Sequence, residues 1–208
     1  MELFIMISLG LLWLVILLNL VLTIRIIKWI KATTEVARPP ASEHIERQEL
    51  IIGAPAPEFK VRTLAGQAVR LDDFAGRSSV FLFVSPACGH CRIEMPMFLK
   101  LAPLAKKNAD VELILVSDWG PVITQQWLAE MRTEDGVDVT LPVLVAPTGK
   151  SDFLDDYNPK KTTPGFCLID AQGNVQVLGQ IPSTEWNKLK RTWEGATRLS
   201  PLLFKQLQ

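Results

Sequence analysis

The sequence from Val80 to Pro96 reads VFLFVSPACGHCRIEMP, and it joins a strand pattern to a helix pattern. Its first part is an apolar run of strand length, rich in β-branched and aromatic residues, which is typical of a strand buried on both faces. Beyond the motif, apolar residues recur at steps of three and four, as on one buried helix face: Met97, Phe98, Leu101, Leu104 and Ala105. The two cysteines therefore lie where a strand ends and a helix begins.

This position favours a reactive thiol at Cys88. Unpaired backbone N–H groups and the positive end of the helix dipole stabilise a thiolate, so the pKa of Cys88 should fall below about 8.5, the value of a free thiol. Cys91 follows one turn later and can close a disulfide with Cys88. The motif thus predicts a dithiol/disulfide site.

A zinc site is the first alternative, but zinc takes about four ligands. The remaining candidates are Cys167, His90 and His44, with no second pair at ligand spacing. We therefore expect neither a metal nor a cofactor, and we expect His44 to be a solvated residue of a charged linker. Cys167 is interpreted as a small buried apolar residue, with a third redox thiol near the pair as the alternative.

Length and composition set the broad class of the protein. A chain of 208 residues accommodates one domain of about 150 residues and an appendage. The 22 basic residues balance the 22 acidic ones, which does not favour a nucleic-acid surface. Three cysteines are too few for a disulfide scaffold, whereas a pair plus one suits a catalytic dithiol.

The N-terminal segment predicts a membrane anchor. Leu3–Ile24 is a run of 22 residues without a charge, long enough to span a hydrocarbon core of about 30 Å as a helix. A cleaved signal peptide would need a basic start and a small-residue cleavage site, which this sequence lacks. We expect residues 1–31 to be a retained transmembrane anchor and residues 32–49 to be a linker or a partly solvated helix.

The remainder predicts an α/β domain over residues 50–196, followed by a tail at residues 197–208. Short strands around Val61 and Val69 and a helical turn precede the central strand Ser79–Ser85. The elements expected after the motif helix are a strand at Val111–Ser117, a helix between Pro121 and Gly136, a strand at Leu141–Val145, a helix at Ser151–Tyr157, a hairpin formed by Phe166–Asp170 and Val175–Leu178, and a final helix capped by Ser183 or Thr184. This order predicts a mixed central sheet flanked by helices.

The domain resembles the thioredoxin superfamily, and within it the membrane-anchored TlpA/ResA-type thiol-disulfide oxidoreductases. The lead-in to Cys88 is also similar to that of the thioredoxin-like accessory proteins for methylamine dehydrogenase maturation. Three motifs carry the resemblance: Gly53-x-Pro55-x-Pro57-x-Phe59, Cys88-x-x-Cys91-Arg92-x-Glu94-Met95-Pro96, and Thr163-Pro164 ahead of Phe166–Asp170. One departure is Ala87, where many relatives carry tryptophan.

The resemblance implies a role for each site residue. Cys88 would be the attacking nucleophile, Cys91 the resolving thiol, and Pro164 a cis proline facing the dithiol. Glu94 would tune the site or relay protons, with a carboxylate that only stabilises the helix N-terminus as the alternative. His90 can stabilise the Cys88 thiolate, which would make the disulfide more oxidising, and the same four residues occur in protein disulfide isomerases.

The predicted function is disulfide exchange with protein substrates by a membrane-tethered enzyme. The expected partners are protein thiols and disulfides, a membrane redox partner and the lipid bilayer. A peroxiredoxin-like peroxidase is one alternative, although the proline of the peroxiredoxin pattern Pro-x-x-x-Thr/Ser-x-x-Cys is replaced by Phe81. A non-enzymatic assembly or maturation factor is another.

Membrane orientation is the point on which two arguments disagree. Arg25, Lys28 and Lys31 follow the predicted span, so the positive-inside rule favours a cytoplasmic redox domain. The resemblance implies the opposite side, where disulfide chemistry is most useful. We expect a single-pass cell-membrane protein whose redox domain is extracytoplasmic.

Overall fold

The computed structural model describes residues 2–35 and 50–195, and the chain divides into two compact units, Met1–Arg47 and Gln48–Gln208. In the first unit, helix α1 covers Glu2–Glu35. Within the described residues, no helix combines the length and the apolarity that crossing a bilayer requires. The transmembrane character predicted for Leu3–Ile24 is therefore not confirmed, although these residues are helical.

Helix α1 continues through Glu35 into the segment predicted to be a linker or a partly solvated helix, and the domain boundary at residue 31 stays a prediction. No proline interrupts the segment before Pro39, so nothing in the sequence stops the helix at residue 31. Residues 36–49, which include His44, and the predicted tail at residues 197–208 lie outside the described residues.

The second unit alternates strands and helices in the predicted order. Its elements are β1 (Lys60–Thr63), β2 (Ala68–Arg70), a 3-10 helix (Leu71–Phe74), β3 (Ser78–Val84), α2 (Gly89–Ala109), β4 (Val111–Ser117), α3 (Pro121–Glu134), β5 (Val143–Val145), α4 (Asp152–Tyr157), β6 (Gly165–Ile169), β7 (Val175–Gln180) and α5 (Thr184–Trp193). The Ser183 side chain caps α5 by accepting a hydrogen bond from the backbone N–H of Trp186 at 3.1 Å.

The strands form one mixed sheet in the order β2-β1-β5-β4-β3-β6-β7. Strand β3 is parallel to β4 and antiparallel to β6, so Phe81 lies between Ile114 and Cys167. The hairpin of β1 and β2 joins the sheet through antiparallel pairing of β1 with β5. The mixed sheet predicted from the sequence is confirmed.

Both faces of β3 are buried, as its apolar run predicts. On one face, Val80, Leu82 and Val84 pack with the inner side of α2 and with the tryptophans of α5. On the other, Phe81 and Phe83 pack with an aromatic cluster contributed by α4 and the β1 region. Burying each of these side chains stabilises the fold by about 1.5–3 kcal/mol.

The core on the α2 face fixes the start of that helix. Met95, Phe98 and Leu101 are buried, so the helix cannot rotate or slide over the sheet without exposing them. The turn between β3 and α2 is closed by a hydrogen bond of 3.0 Å from the Cys88 N–H to the Ser85 carbonyl. The Cys-x-x-Cys motif is therefore held at the carboxyl end of a central strand, where open α/β sheets place their sites.

Candidate active site

Cys88 occupies the N-cap position of α2. Its backbone is extended (φ −100°, ψ 104°), and its sulfur accepts a hydrogen bond from the backbone N–H of Cys91, with 3.4 Å between Sγ and N. The thiol in turn donates to the carbonyl oxygen of Thr163, 3.2 Å from Sγ. The side chain remains partly exposed, so the sulfur of a partner can reach it.

The contacts of Cys88 make its thiol acidic. Partial burial on its own would raise the pKa of Cys88, because a thiolate is poorly solvated there. Hydrogen bonds with the side chain and backbone of Cys91, with the Thr163 side chain and with the His90 backbone outweigh that effect and lower the pKa below its ordinary value of 9.0. The direction of the shift is the one that the helix N-terminus predicts.

Cys91 has the opposite environment. Its side chain is completely buried in the core cluster beneath α2. Burial raises the pKa of Cys91 to about 12, and the neighbouring Cys88 thiol adds to the increase. The motif therefore contains one accessible, acidic thiol and one shielded thiol that holds its proton.

The loop before β6 brings a third group to the dithiol. The Thr163–Pro164 bond is cis, as expected, and Pro164 is buried. The Pro164 carbonyl accepts a hydrogen bond of 2.9 Å from the N–H of Ile181, which anchors the loop to the segment after β7. Because β6 pairs with β3, the end of this loop lies over Cys88.

The structure pairs His90 and Glu94 with each other. His90 Nε2 lies 3.5 Å from Glu94 Oε1, and both side chains are partly exposed. The contact between His90 and the Cys88 sulfur is made by the backbone of His90. The effect of His90 on the redox potential and the role of Glu94 stay predictions.

Cys167 is buried on the other face of the sheet. It lies in β6 within the aromatic cluster, whereas Cys91 belongs to the core beneath α2. Complete burial raises the pKa of Cys167 to about 12. The interpretation of Cys167 as a small buried apolar residue is confirmed.

Asp118 is a residue at this site that the sequence analysis did not single out. It directly follows β4, its backbone N–H donates to the Val84 carbonyl at 3.2 Å, and burial raises the pKa of its carboxyl group. The Asp118 Oδ1 atom is buried and has no hydrogen-bond partner among the described residues. Its position at the carboxyl end of a strand next to β3 is the sequence signal that could have identified it.

A metal site is not found in the described part of the chain, where no three His, Cys, Asp or Glu side chains form a group that could hold an ion. The groups that the structure brings together at the motif are the thiol of Cys88, the backbone N–H of Cys91 and the carbonyl of Thr163.

Comparisons with known proteins agree with this site. The sequence matches the AhpC/TSA family over residues 52–178. It is 30% identical over 135 residues to the thiol-disulfide oxidoreductase ResA of Geobacillus kaustophilus, which covers 64% of this chain and 71% of that protein. It is 29% identical over 127 residues to the thioredoxin-like protein YneN of Bacillus subtilis, which covers 60% of this chain and 68% of that protein.

A solved structure shows the fold. The thioredoxin domain of a thiol-disulfide oxidoreductase from Bacteroides vulgatus matches with a TM-score of 0.52 at 22% identity, covering 69% of this chain and 98% of that one. The fold is thus the thioredoxin-like α/β fold that the sequence predicts. The chain belongs to the AhpC/TSA family and is a thioredoxin-like thiol-disulfide oxidoreductase.

Proposed function

We propose that this chain exchanges disulfides with protein substrates through Cys88 and Cys91. The observation that carries the proposal is the asymmetry of the two thiols: Cys88 is accessible and acidic, and Cys91 is buried with a pKa of about 12. The thiolate is the attacking species in disulfide exchange, so Cys88 reacts first. Cys91 contacts the Cys88 side chain and can reach its sulfur once that first bond has formed.

The reductive direction consists of two exchanges. The Cys88 thiolate attacks a substrate disulfide, bonds to one substrate sulfur and releases the other as a thiolate, which takes up a proton. Cys91 then loses its proton and attacks the Cys88 sulfur, so that the Cys88–Cys91 bond forms and the bond to the substrate breaks. Two electrons have passed to the substrate, and a membrane redox partner is proposed to restore the dithiol. The reverse sequence oxidises a substrate dithiol.

We assign substrate-backbone binding to the loop that ends at Pro164. The Thr163 carbonyl lies 3.2 Å from the Cys88 sulfur, so a peptide that delivers its sulfur to Cys88 passes this loop at the same time. Pro164 has no backbone N–H, so it adds no donor at the site that needs a hydrogen-bond partner. The recognition of extended peptides by free backbone groups is a common binding mode.

Insulin reduction in the presence of dithiothreitol tests this function. The wild-type chain and a Cys167→Ala control should both accelerate precipitation of the insulin B chain. Cys88→Ala and Cys91→Ala should fall to the uncatalysed rate, and Cys91→Ala should accumulate a mixed disulfide through Cys88. Full activity in Cys88→Ala would overturn the proposal.

The two alternative functions have separate readouts. Phe81, where the peroxiredoxin pattern requires proline, is paired on both sides inside the sheet. We therefore expect no peroxide consumption by the reduced chain, and consumption at the insulin-reduction rate would favour the peroxidase. Complementation of a deletion strain by a Cys88→Ala, Cys91→Ala double variant would favour a non-enzymatic assembly factor.

We also propose that α1 tethers the enzyme to the cell membrane. The support is the uncharged run Leu3–Ile24 together with large apolar side chains that are exposed on the helix, such as Leu11 at 61% and Leu14 at 64%. The full-length chain should stay in the membrane fraction after alkaline carbonate extraction, and a Leu14→Arg, Leu17→Arg variant should be released. Release of the wild-type chain would contradict the tether.

The redox domain is proposed to be extracytoplasmic, because exchangeable disulfides persist in oxidising compartments. A C-terminal fusion to a reporter that is active only outside the cytoplasm should show activity. Activity of a cytoplasm-only reporter instead would agree with the basic residues after the span and overturn this orientation.

A further inference from the structure

Thr163 faces the dithiol from the loop before β6, and its position depends on the residues on either side of it. The Thr163 carbonyl oxygen lies 3.2 Å from the Cys88 sulfur. On the C-terminal side, the Pro164 carbonyl accepts a hydrogen bond of 2.9 Å from the Ile181 N–H. On the N-terminal side, Thr162 lies outside β6, so strand pairing does not hold its backbone and its polar groups need another partner.

A single side chain, that of Asn158, supplies this partner. Asn158 Nδ2 donates to the Thr162 carbonyl at 2.9 Å, and Asn158 Oδ1 accepts from the Thr162 N–H at 3.1 Å. The Thr162 hydroxyl donates to the same Oδ1 at 3.3 Å. The amide therefore satisfies both backbone groups of Thr162, as a neighbouring strand would.

Asn158 is itself fixed at the end of α4. Its side chain and backbone are buried, with 7% of the residue exposed, and its N–H donates to the Leu154 carbonyl at 3.0 Å. Its carbonyl accepts from the N–H of Lys161 at 2.7 Å, and Lys161 adopts a left-handed backbone conformation (φ 49°). A residue other than glycine keeps this conformation where surrounding contacts hold it. The turn from Asn158 to Thr162 is thus closed by its own hydrogen bonds.

The packing at Gly165 limits the movement of Thr162 further. A Cβ at position 165 would lie 2.6 Å from the Thr162 carbonyl oxygen, 2.9 Å from the Thr162 hydroxyl oxygen and 3.5 Å from Asn158 Oδ1. Thr162 therefore packs directly against the start of β6. Without the Asn158 amide, its carbonyl would lose this hydrogen-bond donor, and the peptide group that joins Thr162 to Thr163 would be free to rotate.

Building on the proposed dithiol function, we propose that Asn158 is a positioning residue for it: by fixing Thr162, the amide presents the Thr163 backbone to an extended peptide whose sulfur reacts with Cys88. An extended peptide binds through its backbone N–H and C=O groups, and such hydrogen bonds require partners that point in a fixed direction. Within the described residues, Asn158 forms no hydrogen bond with either cysteine of the motif, so it acts through the loop. A small disulfide without a peptide backbone gains nothing from this arrangement.

Two mixed disulfides of thionitrobenzoate isolate the effect, one with the central cysteine of a short alanine-rich peptide and one with 2-mercaptoethanol. The Cys88 thiolate of the reduced full-length chain bonds to the peptide or mercaptoethanol sulfur, and thionitrobenzoate leaves as a thiolate, which stopped-flow absorbance follows. Both reactions use the same nucleophile and the same leaving group, so a change in the acidity of Cys88 cancels in the ratio of the two rate constants. Cys88→Ala, which should show neither reaction, verifies the assignment.

Asn158→Ala should lower the ratio of the peptide rate constant to the mercaptoethanol rate constant. The expected loss is about fivefold to tenfold, which corresponds to one hydrogen bond between the loop and the peptide. The rate constant for the mercaptoethanol disulfide should change much less than the rate constant for the peptide disulfide.

Asn158→Asp tests the amide donor within the same shape. At neutral pH its carboxylate cannot donate to the Thr162 carbonyl, so the ratio should be low. In acid the protonated carboxyl group donates again, and the ratio should rise towards the wild-type value, which itself should not change with pH. The charged side chains nearby are Lys160 and Glu185 in the adjacent groove and the pair of Lys161 with Asp155 at 3.1 Å, and every variant retains them.

Asn108→Ala is the matched control. The Asn108 amide donates to the Trp193 carbonyl at 2.6 Å, at the opposite end of α2 from the motif. This variant also loses a hydrogen bond from a side-chain amide to a backbone carbonyl, so its unfolding midpoint in urea should fall. Its ratio of rate constants should stay at the wild-type value, whereas a merely structural role for Asn158 predicts that the two variants behave alike.

A wild-type ratio in folded Asn158→Ala, or an equal loss of the ratio in Asn108→Ala, refutes the role of Asn158 and leaves the dithiol function intact. Should Asn158→Ala fail to fold, a ratio in Asn158→Asp that does not change with pH refutes it equally. If the wild-type chain releases thionitrobenzoate no faster than Cys88→Ala, the proposed dithiol function itself fails.

Discussion

Alkylation of the reduced chain should select Cys88 over Cys91 and Cys167. The pKa of Cys88 lies below 9.0, whereas burial raises the pKa of Cys91 and of Cys167 to about 12. The thiolate fraction falls tenfold for each pKa unit above the working pH, so a gap of at least three units gives a factor of at least about 10³ at neutral pH. Steric shielding of the two buried thiols adds to this factor.

The assay is a pH series of short iodoacetamide pulses. Each pulse is quenched, and the modified cysteines are identified by peptide mass spectrometry. Labelling of Cys88 should already be extensive below pH 9.0, because its thiolate is stabilised by hydrogen bonds from α2. In denaturant the three cysteines should react at similar rates, which controls for differences in peptide detection.

Two results would refute the reasoning. One is a labelling rate for Cys91 within tenfold of the rate for Cys88 at neutral pH, which would mean that Cys91 is neither buried nor protonated. The other is a half-labelling pH for Cys88 at or above the value for the same cysteine in denaturant, which would show that the helix N-terminus does not acidify the thiol. Either result would remove the asymmetry on which the order of attack depends.

Three further predictions test the surroundings of the dithiol. Gly165→Ala places a Cβ 2.6 Å from the Thr162 carbonyl oxygen, so urea unfolding should show a loss of about 1–3 kcal/mol, while Gly89→Ala, which meets open space, should show no such loss. His90→Pro removes a backbone N–H that stabilises the nucleophilic thiolate, so equilibration with glutathione should report a more reducing disulfide, and an unchanged potential would contradict this. Cys167 has a pKa raised to about 12 in the folded state against about 8.5 when unfolded, so its contribution to stability is complete below pH 8.5 and is lost as pH rises towards 12. Above pH 9 the unfolding free energy should therefore fall less steeply in Cys167→Val than in the wild-type chain, by about 1.4 kcal/mol per pH unit. An equal slope in the two proteins would contradict this prediction.

The sequence alone predicts those features of the structure that depend on residues close together in the chain. The run Val80–Val84 is apolar at every position, which a strand buried on both faces requires, and the helical period begins directly after the motif. The position of Cys88 between this strand and this helix therefore predicts, from the sequence alone, that its thiol is acidic. The buried character of Cys167 follows from its place inside an apolar strand.

Features that depend on pairing between distant segments could not be predicted in the same way. The carbonyl of Thr163 lies against a sulfur 75 positions earlier in the chain, because β6 pairs with β3. Asp118 reaches the site only because β4 lies on the other side of β3 in parallel register. Strand order is set by the packing of whole layers, and no local pattern in the sequence encodes it.

The difference between the two thiols follows from helix geometry. Cys88 and Cys91 are nearly one turn apart, so their side chains lie on the same side of α2, but Cys88 is at the open end of the helix and Cys91 is on the face that packs on the sheet with Met95. Burial shields the second thiol from solvent and raises its pKa. The sheet therefore keeps the second thiol protonated, whereas the start of the helix makes the first thiol acidic.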